Sequence, residues 1–421
     1  MSRLVLLFLY LITGISVFAQ KECVSTQYQE ELQKKPSALQ SIATANSFLN
    51  NYRPEIFMGS DPGTAPGTLP VINIPVVVHI LYKDASQNIS DEQVLSQIDI
   101  LNKAFQLQHA DTGKIPAHFR ELAANCRINF CLAKVDPKGY ATSGIVRKST
   151  WVTMYSIDDR IKYSGMGGDD AWPRDKYLNI WVGNLVAGLA GYSSPIGGPA
   201  ETDGIAVRPT AFGTKGTTAA PYHMGRTTVH EVGHWLGLRH IWGDATCGDD
   251  LVHDTPKQRT SNRGCPSGIK ASCDNAASGE MYMNYMDLTS DDCMLMFSVG
   301  QMERMRSAFA PGGPRYGILS SQGCTGTALP EPAAAPETAP VVKLIDLYPN
   351  PARGRLVIDI KENTELLGAQ VQIRNQVGQP VMTLKLTQTK TTIDAGRLQS
   401  GMYIISIDGG SKKYQEKFLK L

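Results

Sequence analysis

The sequence has almost no net charge: 41 Lys and Arg stand against 39 Asp and Glu, which leaves +2. That balance excludes the broad basic face by which proteins hold nucleic acid or an anionic membrane surface. Long apolar runs are missing too. Apart from the first 19 residues no stretch approaches the roughly 20 residues a membrane helix needs, so the mature chain is expected to have no transmembrane helix. None of the 8 cysteines is spaced C-x-x-C, which speaks against a zinc ribbon or a thioredoxin-type redox pair. Charged residues are few as well, 19% against 42% apolar, and this composition excludes wholesale disorder. A chain of 421 residues then has room for two or three folded domains.

Residues 1–19 carry one early charge, Arg3, an apolar run and a small residue at Ala19, the pattern of a secretory signal peptide. Lys21 and Glu22 before Cys23 do not fit a lipidation box. Export permits disulfides, and four cysteines between Cys247 and Cys293 look like a local staple. The pairing of Cys126, Cys131 and Cys324 is not readable.

Residues 20–70 are polar and helix-prone as far as Tyr52, then rich in Gly and Pro, and read as a pro-segment and connector with Arg53 as a guess for maturation. A compact domain over 71–324 opens with the apolar run IPVVVHILY, a buried strand, followed by SDEQVLSQIDILNKAFQ at helical spacing with Ser90 or Asp91 as N-cap. Further strands are expected at 128–135, 177–185 and 205–207, and helices at 227–238 and from Ser298, where Met302, Met305 and Phe309 form one core stripe. Residues 325–340 collapse to Ala, Pro, Glu and Thr and read as a linker. Residues 341–421 alternate short strand patterns with turns, which predicts a small all-β sandwich. The fold class is therefore α+β followed by an all-β domain.

The chemistry concentrates in TTVHEVGHWLGLRHIWGD, residues 227–244. His230 and His234 lie four apart, about 40° around a helix, so their imidazoles share one face and can share one metal ion. Gly237 can end the helix at positive φ and bring His240 back as a third nitrogen. Three imidazoles leave a fourth position for water, as in catalytic zinc sites, and Glu231 stands beside the first ligand to take that water's proton. Thr228 and Glu231 also match a capping box, the structural alternative. The extended HExxHxxGxxH pattern is far more specific than HExxH.

These residues resemble the metzincin metalloproteases, and more closely the pappalysin family, the group of ulilysin and mirolysin. The resemblance rests on HEVGHWLGLRHIW, GDDLVHDTP, NYMD with TSDDC after it, FSVGQMERM and LNIWV. It implies a metzincin domain, a mixed twisted sheet with an active-site helix, with zinc on His230, His234 and His240, Glu231 as general base and Met286 in a turn beneath the site. It also implies the disulfides Cys247 to Cys273 and Cys265 to Cys293. By the same resemblance Asp291 lines a pocket for Arg or Lys at P1′, with an ordinary loop-capping Asp as the alternative. Asp249, Asp250, His253, Asp254 and Thr255 resemble the family's calcium region, with Asp250 and Asp254 chosen as ligands. Cys23 would place a thiolate on the zinc as a latency switch, although Val24 stands where the family often has Gly; a surface cysteine is the alternative. Leu288 replaces the family's usual Tyr, which removes one donor to the tetrahedral intermediate. LNIWVGNLVAGLAGYSSP looks like the edge strand to which substrate adds, or else a plain core strand.

The tail, with LYPNPARGRL, GMYIISI and KFLKL, resembles the type A sorting domain of type IX secretion, with an adhesive or carbohydrate-binding sandwich as the alternative. Together these imply a secreted or cell-surface zinc endopeptidase made as a zymogen, with polypeptide substrates, the type IX machinery as partner and no nucleic acid. The rivals are a metzincin of different specificity and a non-catalytic zinc module for adhesion.

Overall fold

The computed structural model describes residues 22–52, 69–329, 345–375, 378–409 and 413–421. The signal sequence, Arg53 and residues 330–340 lie outside them. The chain divides into two units, one up to residue 331 and one from 332 onward.

The first unit is built on a seven-stranded sheet. Its centre is β2 (Ile72–Tyr82), almost wholly buried, as a continuous apolar run requires when both faces of a strand are covered. β2 pairs in parallel with β3 (Ile128–Leu132) and β4 (Ile145–Ser149) on one edge and with β5 (Leu178–Val182) on the other. β7 (Ile205–Val207) follows β5 in parallel, and β6 (Leu189–Ser193) runs antiparallel to β7. The segment LNIWVGNLVAGLAGYSSP is thus two strands: LNIWV is the internal β5, and LAGYS is β6, next to the sheet edge. The outermost place belongs to β1 (Glu22–Cys23), which pairs with β6 in parallel.

After β1 come α1 (Ser25–Gln33) and α2 (Pro36–Asn51), matching the helix-prone stretch before Tyr52. α3 (Asp91–Phe105) is capped by the Ser90 hydroxyl, which accepts from the Gln93 N–H, a cap worth ~1 kcal/mol. α4 (Arg226–Trp235) lies against β6 and β7, buried at every residue. α5 (Val299–Ser307) opens with a reciprocal capping box between Ser298 and Gln301, and Met305 and Phe309 enter the core. Residues before 330 that read as linker still belong to this unit: the Leu329 N–H donates to the Gly139 carbonyl.

Three disulfides are present: Cys247–Cys273, Cys265–Cys293 and Cys131–Cys324, the last joining positions 193 residues apart. Cys126 is buried, and burial pushes its thiol up to about 12. Among the described residues no helix is long and apolar enough to cross a membrane.

The second unit is all β. One sheet has the order β11-β10-β13-β14 (Pro380–Lys385, Gln370–Arg374, Gly401–Asp408, Lys413–Lys420) and the other β12-β9-β8 (Lys390–Asp394, Arg355–Asp359, Asp346–Tyr348). Alternate residues, among them Leu356, Ile358, Val371, Ile373, Ile405 and Ile407, fill the space between, the period-2 burial of a sandwich.

Candidate active site

The site is held on α4, and both of its ends are fixed by other elements. At the N-terminus Gly225, at φ +69°, supplies no side-chain cap. The Asp291 carboxylate does the work: its Oδ2 accepts from the Met224 and Arg226 N–H groups at 2.8 and 3.2 Å, an anion at the positive end of the helix. The capping box read at Thr228 and Glu231 does not form: the helix already starts at Arg226, which puts Thr228 inside it, and Thr228 Oγ1 donates to Gln97 of α3 at 2.8 Å. At the C-terminus the Leu238 N–H bonds the Gly233 carbonyl and the Gly237 N–H the His234 carbonyl. This is a Schellman ending with Gly237 at φ +92° as its left-handed residue. Trp235 is held by Asp203, which accepts from its indole N–H at 2.7 Å and pairs with the buried Arg315.

The turn returns His240 to the helix. His230 Nδ1 lies 2.6 Å from the Tyr285 carbonyl, His234 Nδ1 3.0 Å from the Leu238 carbonyl and His240 Nδ1 2.5 Å from Asp244 Oδ1. A carbonyl only accepts, so Nδ1 carries the proton in the first two rings, and a carboxylate favours the same in the third. Each neutral imidazole then turns an Nε2 lone pair inward, and these nitrogens stand 3.1 Å (His230 to His234) and 3.2 Å (His234 to His240) apart. Converging lone pairs repel unless a cation lies among them, and a soft-to-borderline donor set of nitrogen and sulfur suits zinc. Cys23 Sγ joins at 3.4 Å from His234 Nε2. Among the described residues this is the one group of three or more His, Cys, Asp or Glu whose ligand atoms lie within 4.8 Å of one another.

Met286 is buried beneath the helix, with its Sδ so near Gly233 that a Cβ there would lie 2.5 Å away. Its carbonyl accepts from the Ile241 N–H, which ties the Met turn to the loop that carries His240. Glu231 Oε2 accepts from Ser25 Oγ at 2.9 Å and lies 3.8 Å from Cys23 Sγ. Leu288 is buried.

Not every expected ligand is gathered here. Asp254 holds α5, accepting from Ser298 Oγ at 2.7 Å and the Gly300 N–H at 2.8 Å. Asp250 accepts from Thr255 Oγ1 and the Val252 N–H, and burial pushes it up to about 7. Sequence reasoning missed Asp244, whose i+4 spacing from His240 was the available signal, and Ser25, for which there was none.

Two families match parts of the chain: pregnancy-associated plasma protein-A over residues 164–310, and the secretion system C-terminal sorting domain over 346–420. An extracellular metalloprotease of Arthroderma gypseum is 30% identical over 247 residues, covering 56% of this chain and 71% of the relative. The chain belongs to the pappalysin family of metallopeptidases. A second extracellular metalloprotease, from Pyricularia oryzae, is 28% identical over 309 residues, 71% of this chain and 92% of the relative. Among solved structures, mature mirolysin of Tannerella forsythia with a cleaved peptide is 45% identical, covers 60% of this chain and 97% of its own, and superposes with TM-score 0.59. A promirolysin mutant is 40% identical over 71% of this chain and 96% of its own, with TM-score 0.63. This pappalysin relative is therefore a secreted or cell-surface zinc metalloprotease with a metzincin-like fold and a type IX sorting tail.

Proposed function

We propose that the protein is made as the latent zymogen of a zinc endopeptidase, with His230, His234 and His240 as metal ligands and Glu231 as general base. The observation that carries this reading is the convergence of three Nε2 lone pairs, 3.1 and 3.2 Å apart, beside the Glu231 carboxylate. Zn2+ held there supplies Lewis acidity toward the scissile carbonyl and the attacking water. Glu231 takes the proton that this water gives up and hands it to the departing amine. The buried wall of α4, Val232 and Leu236 included, keeps the imidazoles from turning, and the carbonyl and carboxylate partners at Nδ1 hold their tautomers.

In the zymogen, residues 22–52 close the site twice. The Cys23 sulfur stands in the imidazole cluster, where as a thiolate it would be a fourth ligand to the metal, and the Ser25 hydroxyl engages the Glu231 oxygen that would otherwise face water. Once the segment leaves, β6 becomes an edge to which an extended peptide adds as a strand. Asp291 selects Arg or Lys at P1′, a basic side chain being a natural partner for its carboxylate. Leu288 leaves the tetrahedral intermediate without a phenol donor, so turnover is slow. Calcium belongs to the turn at 249–255, where a divalent cation would restore the charge that burial suppresses on Asp250. The C-terminal unit carries the protein through the type IX machinery.

Mass-spectrometric mapping of cuts in a mixed peptide library tests the whole reading, with chelator and Glu231→Ala as controls. Cuts immediately before Arg or Lys, absent from both controls, are expected. Zinc-dependent cuts elsewhere would remove Asp291 from the specificity pocket, and cuts that survive Glu231→Ala would remove the general base.

A further inference from the structure

The N-terminal segment has a second buried contact, outside the metal centre. Tyr28 of α1 is 1% exposed, and its hydroxyl lies 2.7 Å from both oxygens of Asp159 and 3.2 Å from Lys162 Nζ. Its ring packs edge-on against Tyr192 of β6, with centroids 5.1 Å apart, and the Lys162 ammonium stands 4.6 Å above it. An ammonium over an aromatic face is attractive, most so when desolvated.

The recess does not depend on Tyr28 for its shape. Lys162, wholly buried, is anchored by groups of the catalytic unit itself: Ser194 Oγ and the Thr202 carbonyl, each at 2.9 Å, and Asp159 at 3.0 Å. Its charge also faces the rings of Tyr192 and Trp181 at 4.9 and 5.6 Å. Removal of α1 would leave a walled cavity presenting one carboxylate to accept, one ammonium to donate and an aromatic side wall. Phenylalanine fits such a cavity less well, because Asp159, although still paired with Lys162, loses the hydroxyl that donates to it. The recess also lies beside the catalytic cleft: Tyr192 is in β6, and the next residue, Ser193, donates its N–H to Ser25, whose hydroxyl reaches Glu231.

We propose that the recess of Asp159, Lys162, Tyr192 and Trp181 is a binding site for a tyrosine side chain presented by a peptide, filled in the zymogen by Tyr28. It is a peptide-recognition site separate from the metal centre, and it retains the N-terminal segment whether or not the Cys23 thiol is engaged. The proposal rests on the reading of residues 22–52 as a removable segment.

The test uses matured protein and a synthetic peptide of residues 22–52, its thiol reduced and freed of reductant before mixing, assayed as an inhibitor of peptide hydrolysis. Four peptides are compared: wild type, Tyr28→Phe, Cys23→Ser and the double variant. Because every change is in the peptide, the enzyme's fold is untouched. Loss of a hydrogen bond to a charged acceptor predicts that Tyr28→Phe raises the inhibition constant at least tenfold, and by the same factor in the Cys23→Ser background. If Tyr28→Phe inhibits within twofold of wild type in both backgrounds, the tyrosine site is overturned. That result with a large effect of Cys23→Ser leaves the thiol latch standing, whereas the opposite pattern keeps the tyrosine site and removes the latch. A wild-type peptide that does not inhibit overturns both.

Discussion

Gly197 offers a substitution that separates latency from catalysis. It lies in the loop after β6 at φ +82°, and a Cβ built there would stand 2.6 Å from the Ser41 carbonyl oxygen, 2.7 Å from Ala45 Cβ and 3.1 Å from Ile42 Cα. All three atoms belong to α2 of the N-terminal segment, and two are helix backbone, so no side-chain rotation relieves the overlap. In Gly197→Ala, α2 must move away by close to 1 Å to restore ordinary contact. That movement breaks the bond from Ser41 Oγ to the Gly197 carbonyl, 2.6 Å long, worth ~1 kcal/mol. It also loosens the packing around Ala45, where overpacking costs about 1–3 kcal/mol. The left-handed φ adds roughly 1–2 kcal/mol, but that strain is borne by zymogen and mature enzyme alike. The difference between the two forms is then about 2–4 kcal/mol, a shift of roughly 30- to 900-fold in the docking equilibrium. The full chain should convert to active enzyme correspondingly faster at fixed concentration, while matured Gly197→Ala keeps kcat/KM within about threefold, well inside 1.4 kcal/mol. Ser41→Ala, which removes the hydrogen bond alone, should give a shift of about fivefold. An unchanged conversion rate in Gly197→Ala would refute the docking argument. A loss of mature activity as large as the gain in conversion would instead assign the loop to the cleft.

Three further outcomes follow from the same structure. Burial, reinforced by the Arg226 charge, pushes His109 down to about 4, so the unfolded chain binds its proton more readily between pH 6.5 and 4. Its contribution, on the order of 1–2 kcal/mol, is present above pH 6.5 and lost as the pH falls through that window. His109→Gln, which can keep the bond to the Leu295 carbonyl, should flatten the pH dependence of denaturant stability relative to wild type, and parallel curves would contradict this. The Cys131–Cys324 bridge joins residues 193 apart and Cys247–Cys273 joins residues 26 apart. Loop entropy assigns them up to about 5 and 3.5 kcal/mol. Replacing the longer bridge with serines should lower the urea midpoint more, and an equal or smaller drop would refute the assignment. Gly233→Ala would drive a Cβ to 2.5 Å from Met286 Sδ and tilt the helix face that carries His230 and His234. Metal loss to a chelator should speed up about tenfold with far-UV circular dichroism unchanged, and an unaltered release rate would remove the Met turn from the support of the site.

What could be read in advance was whatever the chain writes locally. The four-residue spacing of His230 and His234, the glycine that ends α4, the Ser90 cap and the apolar run of β2 each express a short-range rule, and each stands where that rule puts it. Thr228 shows the limit of such rules: its local pattern fits a capping box, yet Gln97, 131 positions earlier, takes its hydroxyl. The splitting of residues 178–193 into an internal and a near-edge strand depends on which neighbours arrive, and strand alternation carries no trace of that. Lys162 would be assigned to solvent on composition alone. Its complete burial follows from partners at 28, 159, 194 and 202 that no periodicity links.

The parts that meet at the metal centre do so because β6 has a gap in its row of side chains. Gly191 pairs with Cys23 in register, and a Cβ at Gly191 would lie 3.1 Å from Glu231 Cγ and 3.3 Å from Oε1. The missing side chain therefore makes room for the Glu231 carboxylate beside the strand pairing that brings in Cys23. A larger residue at 191 would press on the general base and on the Ala206 carbonyl behind it. A change at this position therefore disturbs catalysis directly, so it cannot report on latency alone. Gly197, which touches α2 and not Glu231, is where the two can be separated.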